Sequence, residues 1–382
     1  MNILVLGSGM MGKAIAYDLE RFSDFEKITV ADQNKSLLTA TQQFFHDTVI
    51  EFIPIHVENQ TELRTHFKKH DLVISAIPFR YNYTLARLAV QTNTHFLDLG
   101  GNTDIVHKEQ SLFSEAKKKK ITIIPDCGLA PGLTSVITRD IIDHFKSVEY
   151  VKLRVGGLPV HPQPPLQYQI VFSPYGLINE YREDAIVLDH GTIQQKPSMS
   201  EIEAITFPQP FGILEAFLTS GGCSTLPHTY QNSIGYLDYK TIRYPGHCEK
   251  FKLLLELGFA DTNEVVVGEK KIVPQDLFAQ LLLSSLPQNQ RDVVLLKVMS
   301  KGLTKKGNER TIEYLMIDYY DEHSSMTAMM RTTGYPVSIT AQLIQQNIIK
   351  EHGVFCSEEV VPPTIFFKEL QKRHILITKT LK

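Results

Sequence analysis

The first 124 residues alternate short apolar, β-branched runs with longer stretches in which apolar residues recur at helical spacing. The runs Asn2 to Leu6, Lys27 to Ala31, Val49 to His56, Asp71 to Ala76, His95 to Leu97 and Ile121 to Ile124 predict strands. Segments between them, among them Lys13 to Arg21, Thr84 to Gln91 and Ser111 to Ala116, carry few breakers and predict helices. Strands and helices in alternation build an α/β domain, a doubly wound parallel sheet with right-handed crossovers that binds ligands at the carboxyl ends of its strands.

Beyond Pro131-Gly132 the pattern changes. A helix over Thr134 to Phe145 precedes strand-like runs at Tyr150 to Val155, Tyr239 to Arg243, Asp292 to Ser300 and Glu313 to Tyr319, with a Pro-rich loop at His161 to Pro165 and a helix after Gly246. Two helical stretches, Pro336 to Lys350 and Ile365 to Lys372, follow the last run. The expected organisation is a doubly wound domain over residues 1–130, with about 350–382 packing back on it, and a second, α+β domain with a mainly antiparallel sheet over 131–349. No internal repeat or low-complexity segment interrupts this pattern.

Composition supports that division, since 382 residues suit two domains that each bury a core. No stretch approaches the roughly 20 apolar residues of a bilayer span, so no membrane partner is expected. The net charge of −3, with Lys and Arg scattered, leaves no electrostatic footprint for nucleic acid. The basic run Lys117 to Lys120 fits the solvated end of a helix. Four widely spaced cysteines without a C-x-x-C pair argue against a disulfide framework or a zinc site. His161, His190 and His228 lack ligand spacing, and no metal is expected. Met1 and Asn2 lead straight into the first strand pattern, which leaves no signal-peptide signature and makes the cytoplasm the expected location.

Directly after the first predicted strand comes Gly7-Ser8-Gly9-Met10-Met11-Gly12. Gly7 permits a tight turn, Gly9 lets the backbone approach a pyrophosphate, and Gly12 lets the following helix pack on the sheet. The helix N-terminus supplies free N–H groups and positive dipole, which predicts a Rossmann-type dinucleotide site. Asp32, 20 residues beyond Gly12, ends the second predicted strand, where a carboxylate accepts ribose hydroxyls and repels a 2′-phosphate. NAD is therefore expected over NADP. A glycine turn without a ligand and a site for an adenosyl donor are the alternatives for this spacing. Ala76-Ile77-Pro78 is expected to wall the dinucleotide at the fourth strand end, and Asp98 with Gly100 to face the same crevice at the fifth, unless Asp98 merely caps a turn.

The segment Pro125-Asp126-Cys127-Gly128-Leu129-Ala130-Pro131-Gly132 has partners in Asp98-Leu99-Gly100-Gly101, Gly156 to Pro159, Pro164-Pro165-Leu166 with Tyr168, Glu215-Ala216-Phe217, Thr219 to Leu226, and Thr241 to Tyr244 with Gly246 to Lys250. Together these resemble the saccharopine dehydrogenase family over nearly the whole chain, and within it the lysine 6-dehydrogenases. Ala130 stands where saccharopine reductases carry Asp, which disfavours the saccharopine reaction. The resemblance implies NAD-dependent oxidation of the ε-amine of L-lysine to 2-aminoadipate 6-semialdehyde, which cyclises to piperideine-6-carboxylate, with release of ammonia. It also implies a homodimer, and lysine held between the domains against the nicotinamide.

Hydride leaves the ε-carbon only from a neutral amine, so a base must deprotonate an ammonium of ordinary pKa about 10.4. Asp126 is the first candidate and His247 the second, each with a purely structural role as the alternative. Arg243 is the candidate partner of the α-carboxylate, with Ser220, Gly221 and Thr225 completing the cradle or forming only a structural turn. The aromatic clusters Tyr168 to Tyr175 and Phe207 to Phe217 read as core or interface, and Cys127 as a small buried thiol. Other readings are a reductive condensation of the saccharopine or carboxynorspermidine dehydrogenase type, and a non-catalytic NAD-binding sensor.

Overall fold

The computed structural model describes residues 1–45, 49–288 and 291–382. The chain divides into two compact units, Met1–Asp140 with Met330–Ile375 and Ile141–Met329 with Leu376–Lys382.

In the first unit, strands β1 (Asn2–Leu6), β2 (Lys27–Asp32), β3 (Glu51–Pro54), β4 (Leu72–Ser75), β5 (His95–Asp98) and β6 (Thr122–Ile124) form a parallel sheet. A seventh strand, Gly353–Val354, pairs with β6 and was not expected from the sequence. From that strand the order runs β6, β5, β4, β1, β2, β3, so the winding reverses between β1 and β4, where open α/β sheets bind ligands. Leu4, Val73, Phe96 and Ile123 are fully buried in the core, the burial on both faces that parallel strands require. The helix Met10–Phe22 begins at the glycine loop itself, three residues before the apolar periodicity does. Lys35–Phe44, Gln60–Phe67 and Thr103–Gln110 are helices that periodicity did not reveal; each is capped by an asparagine side chain, from Asn34, Asn59 and Asn102. The C-terminal segment is bound in by Arg373, whose guanidinium pairs with buried Asp18 of the first helix, a carboxylate that also accepts from Ser338 and Gln342.

The second unit is built on a nine-stranded sheet. Its path runs Glu203–Phe207, Gly212–Leu218, Ile234–Arg243, Phe145–Pro159, Asp292–Thr304, Glu309–Tyr319 and Ile377–Leu381, with a hairpin, Ala185–Asp189 and Thr192–Lys196, branching from Ile234–Arg243. All neighbours are antiparallel except Ile234–Arg243 with Phe145–Pro159. Alternation sends Leu214, Ala216 and Ile242 to one apolar layer, while Phe217, one residue on from Ala216, joins Tyr168, Tyr181 and Phe251 in the other, against the helices Pro174–Arg182, His247–Glu256 and Pro274–Ser285. Of the aromatic clusters, Tyr168, Phe172, Phe207, Phe211 and Phe217 thus lie in or against the cores, whereas Tyr175 is exposed.

One helical expectation is corrected. Pro336 does not open the helix but lies inside Ala328–Gln345. Asp292 accepts from the first-turn N–H groups of Ala328 and Met329, at 2.6 and 2.9 Å, and so fixes the start well before the proline. No helix among the described residues is long and apolar enough to cross a membrane.

Candidate active site

The glycine loop leaves β1 with Gly7 at φ +103°, where a Cβ would come within 2.6 Å of the Ala76 carbonyl oxygen. Gly12 sits directly over Gly7, and a Cβ there would overlap its carbonyl. At Gly9, by contrast, a Cβ would meet nothing within 4 Å. The N-terminal turn of Met10–Phe22 has no side-chain cap, so the amides of Met10, Met11 and Gly12 face an open cradle. That is the geometry a pyrophosphate needs. Asp32 closes the loop from β2: one carboxylate oxygen accepts Ser8 N–H (2.7 Å) and Ser8 Oγ (3.0 Å), the other accepts Asn34 N–H (2.8 Å). Thr41 Oγ1 binds the Ser8 carbonyl from beneath. Ala76, Ile77 and Pro78 continue β4 beside Gly7.

Two strands along, β5 and β6 end in interlocked loops. Asp98 is fully buried and its Oδ1 accepts from Gly100 N–H at 2.6 Å and Asp126 N–H at 3.3 Å. Asp126 lies in left-handed conformation at φ +59°, its carboxyl packed so closely on Gly100 that any side chain there would collide with it. Glu109, from the helix Thr103–Gln110, is also fully buried and meets the Asp98 carboxyl. Burial, then the neighbouring charges of Asp98 and Asp126, push the Glu109 carboxyl well up, and burial raises Asp98 too. Cys127 is a buried thiol, pushed up by the same burial. The carboxylate expected at Asp126 is thus one of three.

In the second unit Arg243 ends the strand Ile234–Arg243, buried, with its guanidinium over the Tyr168 ring at 4.8 Å and the Tyr181 ring at 5.7 Å. Its Nε donates to Tyr181 Oη (2.7 Å) and its Nη1 to the Ile242 carbonyl (2.9 Å); no carboxylate among the described residues pairs with it. Burial opposes the charge, but Tyr181, Tyr168 and Glu180 outweigh it and the guanidinium stays protonated. His247 opens the next helix with both nitrogens engaged: Nδ1 donates to the Leu166 carbonyl (2.8 Å), which leaves Nε2 to accept from Tyr181 Oη (3.2 Å). Packed against Phe217 and Phe251, with Arg243 nearby, it has its pKa pushed down to about 3 by burial and then by that cation. A neutral ring with no free nitrogen does not suit a proton carrier.

The predicted cradle residues fall beside this network. Ser220 Oγ donates to the carbonyls of Asn179 and Glu180 in the helix Pro174–Arg182. The Glu180 carboxylate accepts from Thr241 Oγ1 (2.5 Å) and Thr219 Oγ1 (3.3 Å), and Thr241 shares a strand face with Arg243. Gly221 turns the loop at φ +83° with open space where a Cβ would be, and Gly222 lies flat on Tyr239. Thr225 ends the loop at the start of the helix Leu226–Tyr230. Sequence reasoning missed Glu109, Tyr181 and Glu180. Glu109 sits in a charged helix whose pattern gives no sign of burial; Tyr181 and Glu180 are detectable only by their spacing on the helix Pro174–Arg182. Among the described residues no group of three or more His, Cys, Asp or Glu side chains is placed to hold a metal.

Residues 3–124 match the family model described as saccharopine dehydrogenase NADP binding domain, and residues 128–376 that of the saccharopine dehydrogenase C-terminal domain. The chain is 22% identical to the saccharopine dehydrogenase [NADP(+), L-glutamate-forming] of Saccharomyces cerevisiae, over 99% of this chain and 98% of that protein. It is 21% identical to the mitochondrial alpha-aminoadipic semialdehyde synthase of Rattus norvegicus, over 95% of this chain but 46% of that protein, so it spans about half of that longer relative. The solved apo saccharopine dehydrogenase (L-Glu forming) from Saccharomyces cerevisiae superposes with a TM-score of 0.80 at 21% identity, covering 100% of this chain and 99% of that one, and so shares the fold.

Proposed function

The chain belongs to the saccharopine dehydrogenase family, and from that premise we propose that this oxidoreductase takes NAD and oxidises the ε-amine of L-lysine to 2-aminoadipate 6-semialdehyde, releasing ammonia. One observation carries the amino-acid reading: Arg243 is a buried guanidinium to which no carboxylate among the described residues is directly paired, Glu180 acting only at longer range, an arrangement that is costly unless an anionic group completes it. A substrate α-carboxylate is that group, received in bidentate fashion by the guanidinium. In this reading Ser220, Gly221 and Thr225 complete the cradle for that carboxylate. His247 and Tyr181 hold the guanidinium in place through the chain from Arg243 Nε to Tyr181 Oη to His247 Nε2, which makes His247 a positioning residue.

The glycine cradle, the open face at Gly9 and the bare helix N-terminus fit a dinucleotide, held by Gly7, Gly9, Met10, Met11 and Gly12, with Asp32 on the adenosine ribose and Ala76, Ile77, Pro78, Asp98 and Gly100 along the strand ends. A dinucleotide held by these residues would supply the acceptor for the hydride from the ε-carbon. Asp126 takes the proton from the ε-ammonium and releases it to solvent, then takes a proton from the water that adds to the iminium carbon and returns it to the nitrogen. The water oxygen becomes the aldehyde, and nitrogen departs as ammonia. The carboxylate of Asp32 disfavours a 2′-phosphate, which supports NAD over NADP although the matching domain description names NADP. The same reading carries a homodimer and a cytoplasmic setting.

The test follows NADH formation with L-lysine as sole substrate, then with shorter diamines, other amino acids and NADP. NADH and ammonia in equal amounts are expected. The yeast relative is named for forming L-glutamate, which favours a second reading, the reverse of a reductive condensation between an aldehyde and the amine of a second, acidic substrate; NADH or NADPH formation from saccharopine, with glutamate as product and no response to lysine, would establish it. Asp126→Asn is expected to lower kcat by orders of magnitude at unchanged NADH affinity. Arg243→Lys is expected to raise KM for lysine, and an unchanged KM would remove the carboxylate assignment.

A further inference from the structure

Glu109 is a buried acid that the reaction as proposed leaves unused. Both its oxygens are sealed from solvent, and no N–H or O–H of the described residues other than a second carboxyl reaches them. That second carboxyl is Asp98, which already accepts from the amides of Gly100 and Asp126. The Asn82 side chain also lies against Asp98, with its own oxygen occupied by Ser75 Oγ at 2.8 Å. Two carboxyls in contact with no cation to neutralise them cannot both be ionised. Asp98 has the N–H donors that favour a charge and Glu109 has none, so the proton belongs on Glu109, its O–H donated to Asp98.

The pair stands behind Asp126. Asp98 Oδ1 holds the Asp126 amide and the Gly100 amide together, and Gly100 in turn backs the Asp126 carboxyl. We propose that Asp98 and Glu109 hold one proton between them, and that Glu109 is thereby a positioning residue that sets the charge behind Asp126 and locks the left-handed turn carrying it. This rests on the reading of Asp126 as the base. The titratable groups facing the pair are Asp126 and the Cys127 thiol, both from the loop after β6, and the thiol stays protonated. With Glu109 neutral, Asp126 faces one negative charge from the pair rather than two.

The test is infrared spectroscopy of the whole protein, with activity read alongside. A protonated carboxylic acid band at neutral pH, shifted by D2O, shifted again when glutamate alone is labelled with carbon-13, and lost in Glu109→Gln, is the expected result. In that variant the amide takes the place of the acid O–H as donor to Asp98 and leaves one negative charge behind Asp126, so the acid limb of kcat/KM is expected to stay where it is, with NADH affinity and KM for lysine within about twofold. Absence of a glutamate-dependent acid band in the wild-type protein would overturn the proposal, and that measurement needs no variant to fold. So would a band that persists in Glu109→Gln. Should the band behave as expected in a protein that does not oxidise lysine, the shared proton stands and the substrate reading fails.

Discussion

At the scale of single residues the contact geometry is sharp enough to rank substitutions. Gly12→Ala places a methyl group into the Gly7 carbonyl, so the loop must open or the helix must move. NADH affinity is expected to fall by at least about tenfold, with a loss of roughly 1–3 kcal/mol in stability, read by fluorescence titration and thermal unfolding. Gly9→Ala meets no protein atom, so it is expected to weaken dinucleotide binding while leaving the melting temperature of the free protein unchanged. His247 gives a pH signature. Its folded pKa of about 3 lies below the ordinary value of 6.5, so the unfolded chain binds the proton more tightly. The stability it contributes is complete above pH 6.5 and is lost as pH falls toward 3, by up to about 1.4 kcal/mol per unit at this site. A stability profile of His247→Gln that parallels the wild type over that window would contradict this burial. The glycines and Asp32 were legible from the sequence because their spacing encodes a backbone path. The neutrality of His247 was not, since it depends on Leu166, Tyr181 and Phe217, which only the fold assembles.

At the scale of elements, periodicity located what buries one broad face. Six strands of the doubly wound sheet, all but Gly353–Val354, and the helix after Gly246 stand where their apolar patterns predict them. The helices Lys35–Phe44 and Gln60–Phe67 escaped because each buries only two side chains, Leu38 with Thr41 and Leu63 with Phe67, too few to mark a stripe. Their asparagine caps were the readable signal. The helix Ala328–Gln345 shows the opposite error, in which a proline marked a false start while the true one was set by Asp292 from a distant strand. Asp292→Ala leaves the Ala328 and Met329 amides without their acceptor. The expected cost is about 1–3 kcal/mol in thermal unfolding, with faster hydrogen exchange confined to the first turn of that helix. A variant as stable as the wild type would mean that another acceptor takes over.

At the scale of the whole molecule, each compact unit carries its own core and its own candidate ligand groups: the glycine cradle and acid loops in Met1–Asp140, Arg243 and its aromatic support in Ile141–Met329. If both assignments hold, the two ligands act on different parts of the chain. A ligand that binds only the folded form stabilises it by about 2.7 kcal/mol at a concentration 100 times its Kd, and the protection begins at the groups it touches. Hydrogen exchange read by peptide mass is therefore expected to slow over residues 7–13 and 98–101 with NADH alone. With L-lysine alone it should slow over 219–225 and 241–247. NADPH at the same concentration should protect the first set less, since Asp32 meets the 2′-phosphate with a negative charge. Protection of 241–247 by acetylated lysine blocked at the ε-amine, but not by a lysine amide that lacks the α-carboxylate, would tie the effect to Arg243 rather than to the reacting end. The reverse pattern would move the carboxylate site elsewhere, and the case for an amino-acid substrate would then rest on family membership alone.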